Sequence, residues 1–348
     1  MGKLKICVIF GGCSPEYSVS LQSAAGLIDS MDRELFEPVL LGITKEGKWL
    51  YYEGGMEAVR SDTWWRGNNA TAVFSPDMES HELLVIEECG VKHIKVDGVL
   101  PVLHGENGED GSVQGMCQLS GIPLIGCKTL SSSLCMDKIR AHELVSCQNI
   151  LTPKAFVFDE PMDFELLAGT AERLGYPLFV KPVRAGSSFG ISKVQNPEDL
   201  KSAVNEALKY DSRVILEENI QGTEVGCAVM GRKELITGEL DQIELSKGFF
   251  DYGEKYSLKS SKINVPAPID VEKAEEIKKI AKTIYRTLDC DDFARVDMFL
   301  CPDGKVYFNE VNTIPGLTPH SRFPGMMRAA GYEMKELVSK IILDSLKG

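Results

Sequence analysis

Residues 293–312 read FARVDMFLCPDGKVYFNEVN, two largely apolar runs hinged on Pro302-Asp303-Gly304. Such a turn between strand-like runs is a strong hairpin signal, because proline presets one turn angle and glycine accepts the left-handed one. With Asp303 and Gly304 as a two-residue turn, Asp297 faces Glu310, Arg295 faces Asn312, Phe299 faces Phe308 and Cys301 faces Val306. All of these share one face, since side chains alternate along a strand. The other face carries Ala294, Val296, Met298, Leu300, Tyr307 and Val311, so the hairpin reads as buried on both sides.

Two carboxylates directly opposite, with Cβ atoms roughly 5 Å apart, repel unless a cation lies between them. Arg295 could supply that charge and close a local ion network. Asn312 points to a second possibility: Asp297, Glu310 and Asn312 offer oxygen donors converging at a strand end, a set that suits Mg²⁺ shared with substrate phosphates. Arg295 would then be free to face developing negative charge.

A phosphate-holding loop is the natural partner of such a site. Residues 181–190, KPVRAGSSFG, follow the apolar run YPLFV. Lys181 ends a strand there, and Gly186-Ser187-Ser188 offers backbone N–H groups and hydroxyls with little steric hindrance to an oxyanion. Beside a magnesium pair the loop reads as a lid over ATP phosphates, although a plain turn with a rim lysine satisfies the same residues. No G-x-x-x-x-G-K-[ST] string occurs, so a Walker A loop is excluded. RVILEENIQG (213–222) places Glu217 and Glu218 where a strand passes from one unit to the next, a common seat for a flat ligand. An exposed acidic linker fits that stretch equally.

The chain has 348 residues, 43% hydrophobic and 26% charged, enough for two or three packed units. A net charge of -13 argues against a nucleic-acid partner, which needs an excess of Lys and Arg. The ten cysteines show no C-x-x-C pair and no zinc spacing, and read as reduced thiols of a cytoplasmic protein. The start MGKLKICVIFGG reads as a first strand, not a signal peptide; it lacks the myristoylation pattern, and no apolar run approaches membrane-spanning length, so no membrane partner is expected. Gly11-Gly12-Cys13-Ser14 does not fit the dinucleotide fingerprint.

The pattern expects an α/β first domain over 1–124: a strand KICVIF, a helix over 19–28 capped by Ser18, strands near 38–43 and 96–103, and a helix over 112–119. A second unit, 125–221, holds one helix from Ser131 or Ser132 through Ser146, the strand PLFVKP, a helix over 197–209 and the strand RVILEE. The third, 222–348, holds strands near 224–231 and 235–244, a helix over 270–287, the hairpin and a final helix.

Seven stretches together resemble the D-alanine:D-alanine ligase family of ATP-grasp enzymes over nearly the whole chain: FGGCSPEYSVS (10–20), PVLHGENGEDG (101–111), MDK (136–138), KPVRAGSSFGISKV (181–194), FDYGEKY (250–256), RVDMF (295–299) and NEVNTIPGLTPHS (309–321). The resemblance implies a Rossmann-like N-terminal domain followed by two α+β subdomains that sandwich ATP, and a reaction joining two D-configured substrates through an acyl phosphate of the first D-alanine. It implies that Glu16 holds the ammonium of that D-alanine, and that Glu16, Ser187 and Tyr256 tie the first domain, the glycine-rich loop and an ω-loop together. His104 would lie near the substrate and Ser321 would join its site. Lys138, Lys181 and Lys255 would be the phosphate cations, with Ser188 in the same loop, while Glu217, Glu218, Ile220 and Glu224 would line the adenosine site. Asp297, Glu310 and Asn312 resemble the ligands of two Mg²⁺ ions, for which Mn²⁺ may substitute. Arg295 and the Gly316 N–H would stabilise the tetrahedral intermediate. A homodimer is likewise implied.

One departure bears on the second substrate. In HSRFP (320–324), Arg322 stands where D-alanine:D-alanine members usually carry leucine, Phe250 stands where they commonly have tyrosine, and Asp241 falls in LDQIELSKGFFDY, a segment similar to vancomycin-resistance ligases. Lys255 and Tyr256 are both retained, which favours an amine nucleophile over a hydroxy acid. Arg322 with Asp241 offers donor and acceptor to a hydroxymethyl group, so the expected second substrate is D-serine, with similarity to the G-type resistance ligases. A housekeeping D-alanine:D-alanine ligase and a non-catalytic ATP-binding module are the alternatives.

Overall fold

The computed structural model describes residues 2–67, 69–186, 189–245 and 261–347. Strands β1 (Leu4–Gly11), β2 (Phe36–Ile43), β3 (Trp49–Tyr52), β4 (Thr71–Phe74), β5 (Glu82–Glu87), β6 (Gly90–Lys95) and β7 (Gly98–Val102) form one sheet in the order β6-β5-β4-β3-β2-β1-β7. β1 pairs parallel with β2 and β7 at its centre, which is why its last six residues are all buried. The antiparallel extension β3 to β6 was not expected; its strands are short and half exposed, and so carry no long apolar run.

Helix α1 (Tyr17–Ser30) begins two residues earlier than expected, since the Glu16 carbonyl already accepts from Val19 and Ser20, and Ser18 lies inside the helix rather than capping it. After the short helix α2 (Met56–Arg60) comes α3 (Ser112–Leu119), at the expected bounds. The single helix expected up to Ser146 is two: α4 (Thr129–Met136) and α5 (Lys138–Ser146). Asp137 breaks the run with ψ 96° and caps α5 by accepting from Arg140 N at 3.1 Å.

The second sheet comprises β8 (Ala155–Asp159), β9 (Leu178–Pro182), β10 (Ser192–Val194) and β11 (Arg213–Glu218), antiparallel in the order β10-β9-β11-β8. Helices α6 (Phe164–Leu174) and α7 (Pro197–Ala207) bury Leu167, Ala171, Leu200 and Val204 against Val180, Val214 and Leu216.

The third sheet holds β12 (Thr223–Met230), β13 (Ile236–Thr237), β14 (Asp241–Leu245), β15 (Ser261–Asn264), β16 (Phe293–Leu300) and β17 (Val306–Asn312), in the order β15-β14-β12-β16-β17 with β13 beside β12. The segment expected as one strand over 235–244 is thus split. Helix α8 (Val271–Thr287) packs Ile277, Ala281 and Ile284 against this sheet. Helices α9 (Arg322–Ala329) and α10 (Met334–Leu346) return to the first sheet, where Leu337, Val338, Ile341 and Ile342 share a core with Ile6, Val8, Phe10 and Leu21.

The hairpin keeps the expected facing pairs at its far end, Arg295 with Asn312 and Asp297 with Glu310. Toward the turn it departs: Met298 faces Phe308, Phe299 faces Tyr307 and Leu300 faces Val306. The loop has three residues, Pro302 to Gly304, closed by Cys301 N donating to the Lys305 carbonyl at 2.9 Å, with Gly304 at φ 82°. A bulge then leaves Asn309 as an extra residue in β17 and restores the expected pairing beyond it. Phe308 therefore belongs to the core with Met298, and Tyr307 does not.

Candidate active site

A cleft of about 510 Å³ opens between the three sheets. The loop leading into α1 and the loop after β7 bring Glu16 and His104 to it, the start of α5 brings Lys138, and β16 and β17 bring Arg295, Glu310 and Asn312. The loop from Thr313 to Ser321 and the first residue of α9 add Gly316, Ser321 and Arg322. Nine residues expected from sequence thus converge on one cavity. Ser187, Ser188, Phe250, Lys255 and Tyr256 lie outside the described residues.

Glu16 is buried, and Gly186 of the glycine-rich loop approaches it so closely that a Cβ there would collide with its carboxylate. His104 is buried too, with Nε2 3.2 Å from Ser23 Oγ. Burial, with the Arg295 charge acting in the same direction, pushes its pKa down to about 4, so the ring is neutral at pH 7. Glu109, unrecognised in the sequence, lines the same cleft: one carboxylate oxygen accepts from Gly105 N at 2.9 Å and the other from Ile314 N at 3.2 Å. It ties the His104 loop to the Gly316 loop. Burial, then the nearby Glu16 charge, pushes its pKa up to about 8.

Lys138 Nζ donates to the Ala185 carbonyl at 2.7 Å, so α5 grips the glycine-rich loop. Lys181 and Glu217, one from each of two neighbouring strands, form a buried ion pair outside the main cleft. Glu217 Oε2 is buried without a hydrogen-bond partner among the described residues. A donor such as an adenine amino group would satisfy it, which is the local fit for a nucleotide. Glu218 accepts from Lys154 N at 2.7 Å, and Ile220 lines a second recess of about 340 Å³ with Asn219, Gln221 and Tyr307.

Asp297 is 1% exposed and lies just behind the cleft wall. Arg295 Nε and Nη2 donate to its two oxygens at 2.9 and 2.8 Å, and Asn312 Nδ2 donates at 2.9 Å. Arg295 is therefore not free of Asp297, as a pure metal reading would have it. The donor chemistry still suits magnesium, with Glu310 and Asn312 at the wall and Asp297 directly across the ladder from Glu310.

Arg322 binds three carboxylates. Nε and Nη2 meet Asp241 at 2.7 and 2.8 Å, Nη1 meets Glu224 at 2.8 Å, and Nη2 lies 3.3 Å from Asp297. Burial alone would lower its pKa, but Asp241 and Asp297 outweigh that and hold it well above the ordinary value. Asp241 is 0% exposed and also accepts from Gly226 N at 2.9 Å. It stands behind Arg322 as an anchor and does not line the cleft. Gly226 gives this cluster room, because a Cβ there would collide with both Asp241 and the Arg322 guanidinium.

This arrangement, two α+β sheets gripping a cleft against a parallel-centred first sheet, is the ATP-grasp fold. The profile for the D-ala D-ala ligase N-terminus matches residues 5–127, and that for the D-ala D-ala ligase C-terminus matches 152–343. The chain belongs to the D-Ala-D-Ala ligase family. Among solved structures it is similar to the VanG D-Ala:D-Ser ligase from Enterococcus faecalis, at 49% identity and TM-score 0.91, covering 99% of this chain and 100% of that one. It is 44% identical to a putative D-alanine–D-lactate ligase of Streptomyces coelicolor, over 100% of this chain and 99% of the relative. It is 42% identical to a D-alanine–D-alanine ligase of Caldicellulosiruptor bescii, over 98% and 95%. No described helix is long and apolar enough to cross a membrane.

Proposed function

We propose that the protein is an ATP-dependent ligase joining D-alanine to D-serine through a D-alanyl phosphate, so that peptidoglycan precursors end in D-serine and bind vancomycin poorly. The observation that carries the choice of D-serine is Arg322, a guanidinium at the cleft wall held by Asp241, Glu224 and Asp297. The likeness to a D-Ala:D-Ser ligase supports it.

In this reading Glu16 holds the ammonium of the first D-alanine while that substrate's carboxylate oxygen attacks the γ-phosphorus of ATP and ADP leaves. Lys138 and Lys181 bind phosphate oxygens, Glu217 and Ile220 hold the base, and Glu218 and Glu224 complete the adenosine seat. Glu310, Asn312 and Asp297 would hold magnesium, which would supply neutralisation of phosphate charge. The amine of the second substrate then attacks the acyl carbon, the C–O bond to phosphate breaks, and the departing phosphate takes up the amine's proton. Arg295 and the Gly316 N–H face the oxygen that becomes negative in that step, where fixed donors need no reorganisation. Ser321 and Arg322 orient the second substrate, and neutral His104 packs beside the first. A closed cleft keeps water from the acyl phosphate. Ser187, Ser188, Phe250, Lys255 and Tyr256 keep the roles that the family resemblance implies. We also place the protein in the cytoplasm as a homodimer of three-domain chains, 1–124, 125–221 and 222–348.

A second reading, a D-alanine:D-alanine ligase, is favoured by one observation: most Arg322 donors are already taken by the protein's own carboxylates. Competition between D-alanine and D-serine at fixed ATP, with product identification, separates the two. D-Ala-D-Ser should predominate; equal or greater D-Ala-D-Ala would defeat the D-serine assignment.

A further inference from the structure

The ladder between β16 and β17 changes register at one point, and the extra residue there is Asn309. A residue bulged out of an antiparallel pair loses its place in the hydrogen-bond ladder. The Asn309 carbonyl accepts instead from His142 Nε2 at 2.8 Å. The imidazole is buried and stands edge-on to Phe308, with ring centroids 5.4 Å apart. Its Nδ1 has no hydrogen-bond partner among the described residues, so the bulge carbonyl takes the ring's only bond there. His142 lies one helical turn beyond Lys138 on the buried face of α5, so a single helix grips both the glycine-rich loop and the bulge.

Beyond the bulge, Glu310 faces Asp297 and Asn312 faces Arg295. Without the extra residue, Glu310 would point into the core that Val296, Phe308 and Val311 occupy. We infer that His142 is a positioning residue for the Asp297–Glu310 pair, acting through the Asn309 bulge. This rests on the reading of those carboxylates as the magnesium and phosphate end of the cleft. Apolar packing at Phe308 and Val311 prevents the strand from slipping, so losing the His142 donor loosens the bulge locally. Glu310 and Asn312 then shift against Asp297, in a site whose chemistry tolerates little misplacement.

The test is ATP binding by titration calorimetry, with and without magnesium chloride, on wild type, His142→Phe and His142→Gln. Phenylalanine keeps the ring and loses the donor; glutamine returns an N–H donor near the Nε2 position. In wild type, magnesium should tighten ATP binding. In His142→Phe that gain, taken as the ratio of the two affinities, should fall at least fivefold, while KM for D-alanine stays within twofold of wild type. His142→Gln should restore most of the gain. A full gain in His142→Phe, or equal loss in both variants, overturns the proposal. Should His142→Phe not fold, His142→Asn, too short to reach the carbonyl, replaces it with the same expectations. Absence of any gain in wild type removes the metal reading itself, and this proposal with it.

Discussion

One guanidinium set against three carboxylates makes Arg322 a tightly held charge at the cleft wall. Replacing it by leucine strands Asp241, fully buried, without a cation. Breaking a buried pair from one side costs about 3–5 kcal/mol, so Arg322→Leu should lose stability of that order in urea titration. Its product mixture should also shift toward D-Ala-D-Ala; an unchanged ratio would remove Arg322 from substrate selection. His104 carries the pH prediction. Its folded pKa of about 4 lies below the ordinary 6.5, so the folded state binds its proton less readily than the unfolded chain. Stability is therefore complete above about pH 6.5 and declines as pH falls toward 4, by up to about 3 kcal/mol. Melting curves of wild type and His104→Gln between pH 7.5 and 4.5 should converge on acidification. The sequence showed that Arg322 and Asp241 are chemically matched, but not that Asp241 stands behind the arginine, because their side-chain directions depend on a packing of β12, β14 and α9 that no local pattern encodes. Glu109 escaped notice because HGENGEDG holds three acids and nothing in the string says which one turns inward.

At the scale of the element, the far end of the hairpin was legible because two departures compensate. A two-residue turn and an unbroken ladder were both wrong, yet they cancel: the three-residue loop shifts the register by one and the Asn309 bulge shifts it back. Apolar alternation marks the strands but cannot distinguish these turn geometries, and the bulge is stabilised by a helix far away in sequence. Gly304, at φ 82° in the loop, separates turn stability from site chemistry. Gly304→Val should cost about 1–2 kcal/mol through the left-handed backbone, while KM for D-alanine stays unchanged. A changed KM would mean that the turn communicates with the cleft. The break at Asp137 was missed for a similar reason, since SSSLCMDKIRAHELVS has continuous helical character and only the backbone bend shows two helices.

Over the whole molecule, long buried strands and helices were readable as α/β layers, whereas the way the layers close was not. Asp292 shows how they close. Its carboxylate accepts from Gly126 N at 2.8 Å, Ser345 Oγ at 2.7 Å and Arg232 Nε at 2.9 Å, joining the segment after the first sheet, the last helix and the third sheet. Asp292→Ala leaves the buried Gly126 N without an acceptor, while Arg232 keeps Asp291, so it should destabilise the protein by about 1–3 kcal/mol and speed proteolysis near α10. Unaltered digestion would show that apolar packing alone seats that helix. The same helix has a consequence for synthesis. A ribosome makes Ile6, Val8 and Phe10 long before Leu337, Val338 and Ile341, which cover them. Until those later residues emerge, the nascent chain carries a sticky apolar face, and holding chaperones have a defined surface to shield.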